Sequence, residues 1–361
     1  MACSFSQHLS PSISSPSTPD SLTNPNSESS SRQRVAPSNG QVLDRNNDLN
    51  ISDLELLHHF TTVTCYTLSS VPSECRIWQN NIIKEALQHE FLLRGILAIA
   101  ALHLSRLKPS QETEYIVKAS THQDLAISEF RPILPTISAS NCNAVFLFSG
   151  VLALQSFAYA RGSHDSPVDP ITGLNDILHC IQLVRGIETS LVSWMPIIQL
   201  SESSHIVCFP GCDEIECADT SVLNYETKLI FSQLENLCSC VGDPGASSSY
   251  AHAIKTMRQI YATVENPKTM STIATTAYWL YQVSHTYVLL LRERVPEALV
   301  VLAHYAVLLH RHNSYWYFDG WGRHLVRVIA DLLGPSWSVH LEWPRRMVGL
   351  GSSHPGMGNA G

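Results

Sequence analysis

The sequence has few charged residues and no concentration of positive charge. Only 15% of its 361 residues are Asp, Glu, Lys or Arg, against about a quarter in typical soluble domains. The formal net charge is −8, and Lys and Arg gather no further than the pair Arg345–Arg346. Proteins bind nucleic acid mainly by neutralising phosphates with Lys and Arg. We therefore expect no direct nucleic-acid binding by this chain.

The sequence also has no secretory signal and no long hydrophobic run. Its first residues, MACSFSQHLS, lack both a basic and an apolar segment. The most apolar run, residues 91–104, would form a helix of about 21 Å, shorter than the hydrocarbon core of about 30 Å. A second candidate, residues 273–291, is interrupted by Gln282, Ser284 and His285. We expect no membrane span.

Sequence motifs that mark common enzymes are missing as well. The chain has no G-x-S-x-G, G-x-G-x-x-G or H-E-x-x-H, although it contains seventeen histidines. We therefore expect neither catalysis nor a bound cofactor. One enzymatic alternative stays open, because residues 213–219 resemble the magnesium-binding acidic clusters of helical terpene cyclases. Asn175–Asp176 is a poor second ligand set, however, and an acidic surface turn is the favoured interpretation.

The ten cysteines do not show the spacing of a zinc site. Cys208, Cys212 and Cys217 follow His205 with spacing C-x3-C-x4-C, whereas structural zinc sites usually begin with a closer, regular pair. Nowhere do six cysteines with paired C-x2-C spacing occur. Without a secretion signal, the pattern indicates reduced thiols in an intracellular compartment and no bound metal.

The residues that are present predict an all-α protein behind a disordered tail. Residues 1–49 hold thirteen serines and five prolines with few large apolar side chains, so we expect this segment to be disordered. Residues 50–345 show helical periodicity and no sustained alternation. They predict a single large helical domain around a hydrophobic core or cavity, followed by a flexible tail at 346–361.

Four local patterns give sharper predictions within the domain. Ser52–Glu55 has the form of a capping box, which predicts a helix beginning at Ser52. Residues 91–107 are apolar nearly all round, which predicts a central buried helix. Residues 242–245 predict a turn before a helix over 249–265, and residues 271–293 predict one long helix.

Aromatic and apolar residues suggest a ligand pocket. The helix at 91–107 and the aromatic run 315–318 are its candidate walls, since small-molecule pockets are mostly apolar and often lie between helices. His103 is either a hydrogen-bonded core histidine, which we favour, or a polar contact to a ligand. The aromatic run is likewise either a packed helix junction or part of a pocket. The candidate pocket residues are Phe91, Leu97, Ala101, His103, Trp316 and Trp321.

A family resemblance covers residues 50 to 345 and is strongest over 50–160. It is carried by the strings DLELLHHFTT from Asp53, HEFLLRGILA from His89 and NAVFLFS from Asn143, and by LEWP from Leu341. These resemble the C-terminal regulatory domain of fungal binuclear-zinc-cluster transcription factors, in the subgroup of the sterol uptake control proteins. The resemblance implies a helical domain around a cavity that receives ergosterol in sterol-responsive members.

The chain departs from that family because residues 1–49 contain Cys3 but no six-cysteine zinc cluster. The leading hypothesis is therefore a transcription-regulator-like protein of the nucleus, with shuttling to the cytoplasm as an option, that consists of the effector domain alone. It would bind other transcription proteins or a homodimer partner, and an apolar sterol-like ligand, and would regulate a secondary-metabolite or sterol-related gene set. The alternatives are a terpene-cyclase-like enzyme and a truncated gene model of a full zinc-cluster factor.

Overall fold

The protein is described here by a computed structural model, which covers residues 50–160, 169–202, 215–265 and 272–351. These ranges contain helices and no strand, which confirms the prediction of an all-α fold. The tail predicted at residues 1–49 lies outside them, as do residues 352–361.

The helices of the first half of the domain run from residue 51 to residue 198. They are α1 (Ile51–Thr62), α2 (Pro72–Arg76), α3 (Ile82–Ala86), α4 (Glu90–Leu107), α5 (Glu112–Phe130), α6 (Cys142–Ala160), α7 (Pro170–Leu191) and α8 (Met195–Ile198). A π-helical turn, Ile77–Asn81, joins α2 to α3.

The helices of the second half pack around one buried helix, α13. They are α9 (Tyr225–Ser239), α10 (Pro244–Glu265), α11 (Thr272–Gln282), α12 (His285–Arg292), α13 (Pro296–Arg311), α14 (Trp321–Leu333) and α15 (Ser338–Met347). Every residue of α13 from Ala298 to Leu309 is buried. Helices α10, α14 and α15 contact it, so α13 is the centre of this half.

Helix α4 is the centre of the first half, as its sequence predicts. Its residues are buried almost without interruption from Phe91 to Ser105, and it packs against α1, α5 and α6. Gly95 allows the close approach of α6, because a Cβ at this position would lie 2.9 Å from the ring of Phe148. Gln155 of α6 donates a hydrogen bond of 2.9 Å to the Gly95 carbonyl, which fixes the two helices together.

The prediction that Ser52 caps the first helix is wrong. The helix begins at Ile51, and the N-cap is Asn50, whose side-chain oxygen accepts from the backbone N–H groups of Ser52 and Asp53 at 3.1 and 3.3 Å. Ile51, the first residue of the helix, is 68% exposed. Asparagine and serine are comparable N-caps, so the local sequence offered two starts and did not decide between them.

Two further helix predictions are wrong at their boundaries. The long helix expected at 271–293 is two helices, because the Ser284 hydroxyl accepts from the Tyr287 N–H at 3.1 Å and starts α12. The turn expected at 242–245 is the cap of α10, which begins at Pro244. Its Asp243 carboxylate accepts from the N–H groups of Gly245 and Ala246.

One helix in the described ranges is long and apolar enough to cross a membrane by length and composition. It is the stretch Cys142–Tyr159 of α6, of which 61% is buried inside the fold. Mostly buried core helices of soluble proteins have the same composition, so this helix is weak evidence for a membrane span.

Candidate functional site

The apolar members of the predicted pocket pack against other side chains. Phe91 is 2% exposed, and its ring lies 5.5 Å from that of Phe130 and 5.3 Å from that of Phe148. Leu97 and Ala101 are equally buried in the core. The structure places these three residues in the packed interior of the first half.

His103 and Trp316, predicted from distant parts of the sequence, do meet. Their rings stack with centroids 5.0 Å apart and planes inclined by 20°. His103 Nδ1 lies 3.0 Å from the Thr64 hydroxyl and 3.3 Å from His59 Nε2, and the Trp316 indole donates to the Thr67 hydroxyl. Burial lowers the pKa of His103 to about 4, so the ring is neutral. These contacts are those of a hydrogen-bonded core histidine.

Trp321 is connected to Trp316 by a chain of ring contacts through Tyr317, Phe318 and Phe157. Its ring packs edge-on against Phe157 at 5.4 Å, and its indole donates to the Phe157 carbonyl at 2.8 Å. Phe318 contacts the same Phe157 ring. The aromatic run after α13 is therefore a packed helix junction, and the six predicted pocket residues are buried side chains that make these packing contacts.

The acidic stretch that motivated the enzymatic alternative is only partly described. Asp213 and Glu214 lie outside the described residues. Glu216 accepts a hydrogen bond from the Tyr278 hydroxyl at 3.3 Å, and its backbone carbonyl accepts from Gln259. Among the described residues, no group of three or more His, Cys, Asp or Glu side chains is arranged to hold a metal ion. Of the cysteine group, Cys208 and Cys212 also lie outside the described residues, and Cys217 is exposed.

A groove in the second half offers a better-formed candidate site. It has a volume of about 560 Å³, within the range of small-molecule pockets. Helix α9 forms one wall, α15 forms the other, and α13 supplies the floor. The apolar side chains that line it are Leu229, Ile230, Leu234, Leu237, Val300, Val339 and Trp343.

The floor of the groove holds a stacked pair of rings. The imidazole of His304 and the indole of Trp343 are nearly parallel, inclined by 8°, with centroids 5.4 Å apart. The two residues are 4% and 7% exposed. His304 Nδ1 lies 2.8 Å from the carbonyl oxygen of Val300, one turn earlier in α13. Burial lowers the pKa of His304 to about 4, so this ring is neutral too.

The rim of the groove is polar and also carries exposed apolar side chains. Glu226 of α9 and Arg346 of α15 form an ion pair across one end. His340, Glu342, Gln233 and Asn236 complete the polar lining. Val339 is 77% exposed, as expected where an apolar wall is open to solvent.

A second, more open groove of about 680 Å³ lies between α7 and the end of α12. Ile171, Leu174 and Leu178 form its apolar side, and Arg292 and Arg294 lie opposite. Arg294 has a φ of 57°, in the left-handed region that non-glycine residues rarely adopt. Both arginines are exposed, so this groove has no buried polar floor.

Sequence reasoning missed the first groove, although part of its signal was readable. Glu226, Leu229, Ile230, Gln233 and Leu237 recur at helical spacing, which marks one face of α9. The same pattern marks any surface helix packed on a core. Nothing in the local sequence shows that this face stands away from α15, because that separation is set by helices distant in the chain.

The sequence is similar to one known protein family and to several fungal proteins. Residues 55–215 match the family described as fungal specific transcription factor domain. Over 326 residues the chain is 28% identical to a Zn(2)-C6 fungal-type transcription factor of Gibberella zeae, an alignment that covers 84% of this chain and 63% of that protein.

Two further relatives point to the same class. The chain is 29% identical over 167 residues to sterol uptake control protein 2 of Candida albicans, covering 46% of this chain and 22% of that protein. It is 28% identical over 147 residues to the Zn(2)-C6 fungal-type transcription factor afumD of Aspergillus fumigatus, covering 40% and 37%. The chain thus spans less than two thirds of the length of these relatives, which are named as transcription factors or regulators and not as enzymes. Over residues 55–215 the chain is therefore similar to the fungal specific transcription factor domain, and its relatives are fungal transcription factors.

Proposed function

We propose that this domain controls the transcription of a fungal gene set by binding an apolar small molecule in the groove between α9 and α15. Occupancy of the groove would change how the domain engages other transcription proteins or a second copy of itself in the nucleus. The regulated genes would belong to secondary metabolism or to sterol-related functions. A protein partner, and not the acidic chain itself, would supply the contact with DNA.

The observation that carries this proposal is the groove itself, within a domain of the transcription factor family. Its apolar walls, buried aromatic floor and polar rim match the general anatomy of a small-molecule site. The names of two relatives, which are sterol uptake control proteins, support an apolar ligand of sterol-like size. The packed surroundings of Phe91 and Trp321 favour the groove over the pocket first predicted.

The test is a reporter assay with the full chain fused to a heterologous DNA-binding domain in yeast. We expect reporter expression to differ from that of the DNA-binding domain alone and to change when apolar fungal metabolites are added. Leu229→Glu, on the groove wall, should abolish the metabolite response. Leu289→Glu is the matched control, because both leucines are about equally exposed, at 45% and 40%, and Leu289 does not line the groove.

Reporter expression equal to that of the DNA-binding domain alone, with and without metabolites, would contradict a role in transcription. A metabolite response that survives Leu229→Glu would contradict the groove as the ligand site. In parallel, delipidated protein should be stabilised by a bound metabolite, with the gain growing as RT ln(1 + [L]/Kd).

A further inference from the structure

We infer that the groove between α7 and the end of α12 binds an acidic peptide segment of a protein partner, whose carboxylates pair with Arg292 and Arg294. This groove shares no lining residue with the groove between α9 and α15, so the inference goes beyond the proposed function and does not depend on it. It comes from the backbone conformation, the unpaired side chains and the charge of the groove.

Arg294 occupies a backbone position that favours glycine. Its N–H donates to the Leu291 carbonyl oxygen at 3.0 Å, and the N–H of Val295 donates to the Leu290 carbonyl oxygen at 2.9 Å. These two bonds form the Schellman arrangement that ends many helices, in which one residue past the helix adopts the left-handed conformation. Arg294 is that residue, with a φ of 57°. A Cβ is unfavourable in this conformation, so the chain carries an arginine where folding alone favours glycine.

The two arginines of the groove have no acidic partner in the described part of the chain. Both are exposed, and within the described residues neither guanidinium group forms an ion pair or a hydrogen bond. By contrast, Arg94, Arg258 and Arg311 each pair with a glutamate. Arg292 complements the dipole of α12, because it lies in the last turn, but Arg294 comes after the helix. Both guanidinium groups are therefore available to carboxylates from outside the chain.

The charge of this groove is opposite to that of the whole chain. Its lining contains two guanidinium groups and one carboxyl group, that of the partly buried Asp176 on α7. Glu293 is exposed between the two arginines but does not line the groove. The groove is thus positive on balance, whereas the formal net charge of the chain is −8. An acidic segment is repelled by the rest of the surface and attracted here, which directs it to this groove.

The α7 wall of the groove suits a peptide better than a small molecule. Asn175 and Gln182 are exposed and have no hydrogen-bond partner among the described residues, and a side-chain amide can both donate to and accept from a peptide backbone. They lie roughly 10 Å apart along α7, which about three residues of extended peptide span. Ile171, which is 45% exposed, offers an apolar contact at one end. So open a groove encloses little of a small molecule, whereas small-molecule sites bury roughly 70–90% of their ligand.

The test measures the affinity of the full chain for two fluorescein-labelled peptide amides, GLDLDLDG and GLNLNLNG, by fluorescence anisotropy. The two peptides differ by carboxylates in place of amides of the same shape. We expect the acidic peptide to bind roughly tenfold more tightly in about 50 mM NaCl, because two exposed ion pairs each contribute modestly. In about 500 mM NaCl the preference should fall to within about threefold, because salt screens exposed charges.

Arg294→Gly is the decisive variant, because stability and binding should change in opposite directions. Glycine relieves the left-handed conformation, so the Tm should rise by about 1–3 °C, while the affinity for the acidic peptide should fall roughly threefold. Arg294→Lys keeps the charge and should retain most of the preference. Arg292→Gln combined with Arg294→Gly should bring the two affinities within about twofold. The matched control is Arg131→Gln at the end of α5, since Arg131 is exposed and lies outside the groove.

Equal affinity for the two peptides, or no binding of either, would overturn this inference. A preference that survives the double variant, or that Arg131→Gln removes equally, would overturn it too, because the peptide would then bind elsewhere. Decanoate that binds as tightly as the acidic peptide would assign the groove to a small carboxylic acid and reject the peptide. The proposed function is tested separately, since the metabolite response of the reporter depends on the other groove.

Discussion

The two halves of the domain surround their central helices differently. Helix α4 is covered on all sides by α1, α5 and α6, and its aromatic neighbours fill the interior. Helix α13 is equally apolar and buried, yet α9 and α15 stand apart above it and leave the groove. The difference teaches that an apolar helix marks a core, and that a site also needs open space beside it.

Acidification is expected to have the largest effect, and it acts on both halves. Burial lowers the pKa of His103 near α4, of His304 on the groove floor and of His312 to about 4, from 6.5 in the unfolded chain. The unfolded state therefore binds more protons below pH 6.5, so stability is complete above that pH and is lost as pH falls toward 4. The three groups together give a slope of up to about 4 kcal/mol per pH unit.

Circular dichroism with urea denaturation at pH 7.5, 6.5, 5.5 and 4.5 measures this loss. His304→Phe should flatten the slope if the groove half shares the acid sensitivity. A free energy of unfolding that stays constant between pH 6.5 and 4.5 would show that these histidines are not held neutral.

Removing a ring from the packed half is expected to have the next largest effect. Phe148 is fully buried, with ring centroids 5.3 Å from Phe91 and 4.8 Å from Phe130. Phe148→Ala should lower the free energy of unfolding by about 3–5 kcal/mol, because it leaves a cavity that rigid neighbours cannot fill. Denaturant titration measures the change. A loss below about 1 kcal/mol would mean that the first half is loosely packed, and the contrast with the groove half would disappear.

Adding a methyl group between α13 and α14 tests the close contact under the groove half. A Cβ on Gly322 would lie 2.4 Å from the Ala306 carbonyl oxygen and 2.7 Å from the His310 backbone nitrogen. Gly322→Ala should therefore cost about 1–3 kcal/mol, since backbone atoms must move. Gly186→Ala in α7 is the matched control, because nothing lies within 4 Å of its Cβ. The control should be stabilising by about 0.5–1 kcal/mol through the helix preference of alanine.

The smallest effect on stability is expected at the groove rim. Val339 is 77% exposed, so Val339→Ser should change the free energy of unfolding by less than about 0.5 kcal/mol. The same change removes part of the apolar wall and should weaken the binding of an apolar fungal metabolite in the groove a few-fold. Thermal melting and a ligand titration measure the two quantities. Unchanged metabolite affinity would show that Val339 does not contact the ligand.

The sequence predicted the burial of α4 but did not indicate the groove between α9 and α15, for the same physical reason. Apolar side chains all round a helix must be covered, whichever neighbours cover them. Whether Phe91 meets a ligand or Phe148 depends on how closely α6 approaches, and that was not readable from composition. The pairing of His103 with Trp316, more than two hundred residues apart, was suggested by residue type, but its role in the core came from Thr64 and His59.

The sequence by itself determined that this chain is helical, that α4 is buried and that the domain resembles fungal transcription regulators. Those properties follow from the periodicity of apolar residues and from strings of neighbouring residues. Only the tertiary structure decided where a groove opens and that His304 and Trp343 lie parallel on its floor. They are 39 positions apart on helices α13 and α15, and the packing of the intervening chain alone brings the two rings together.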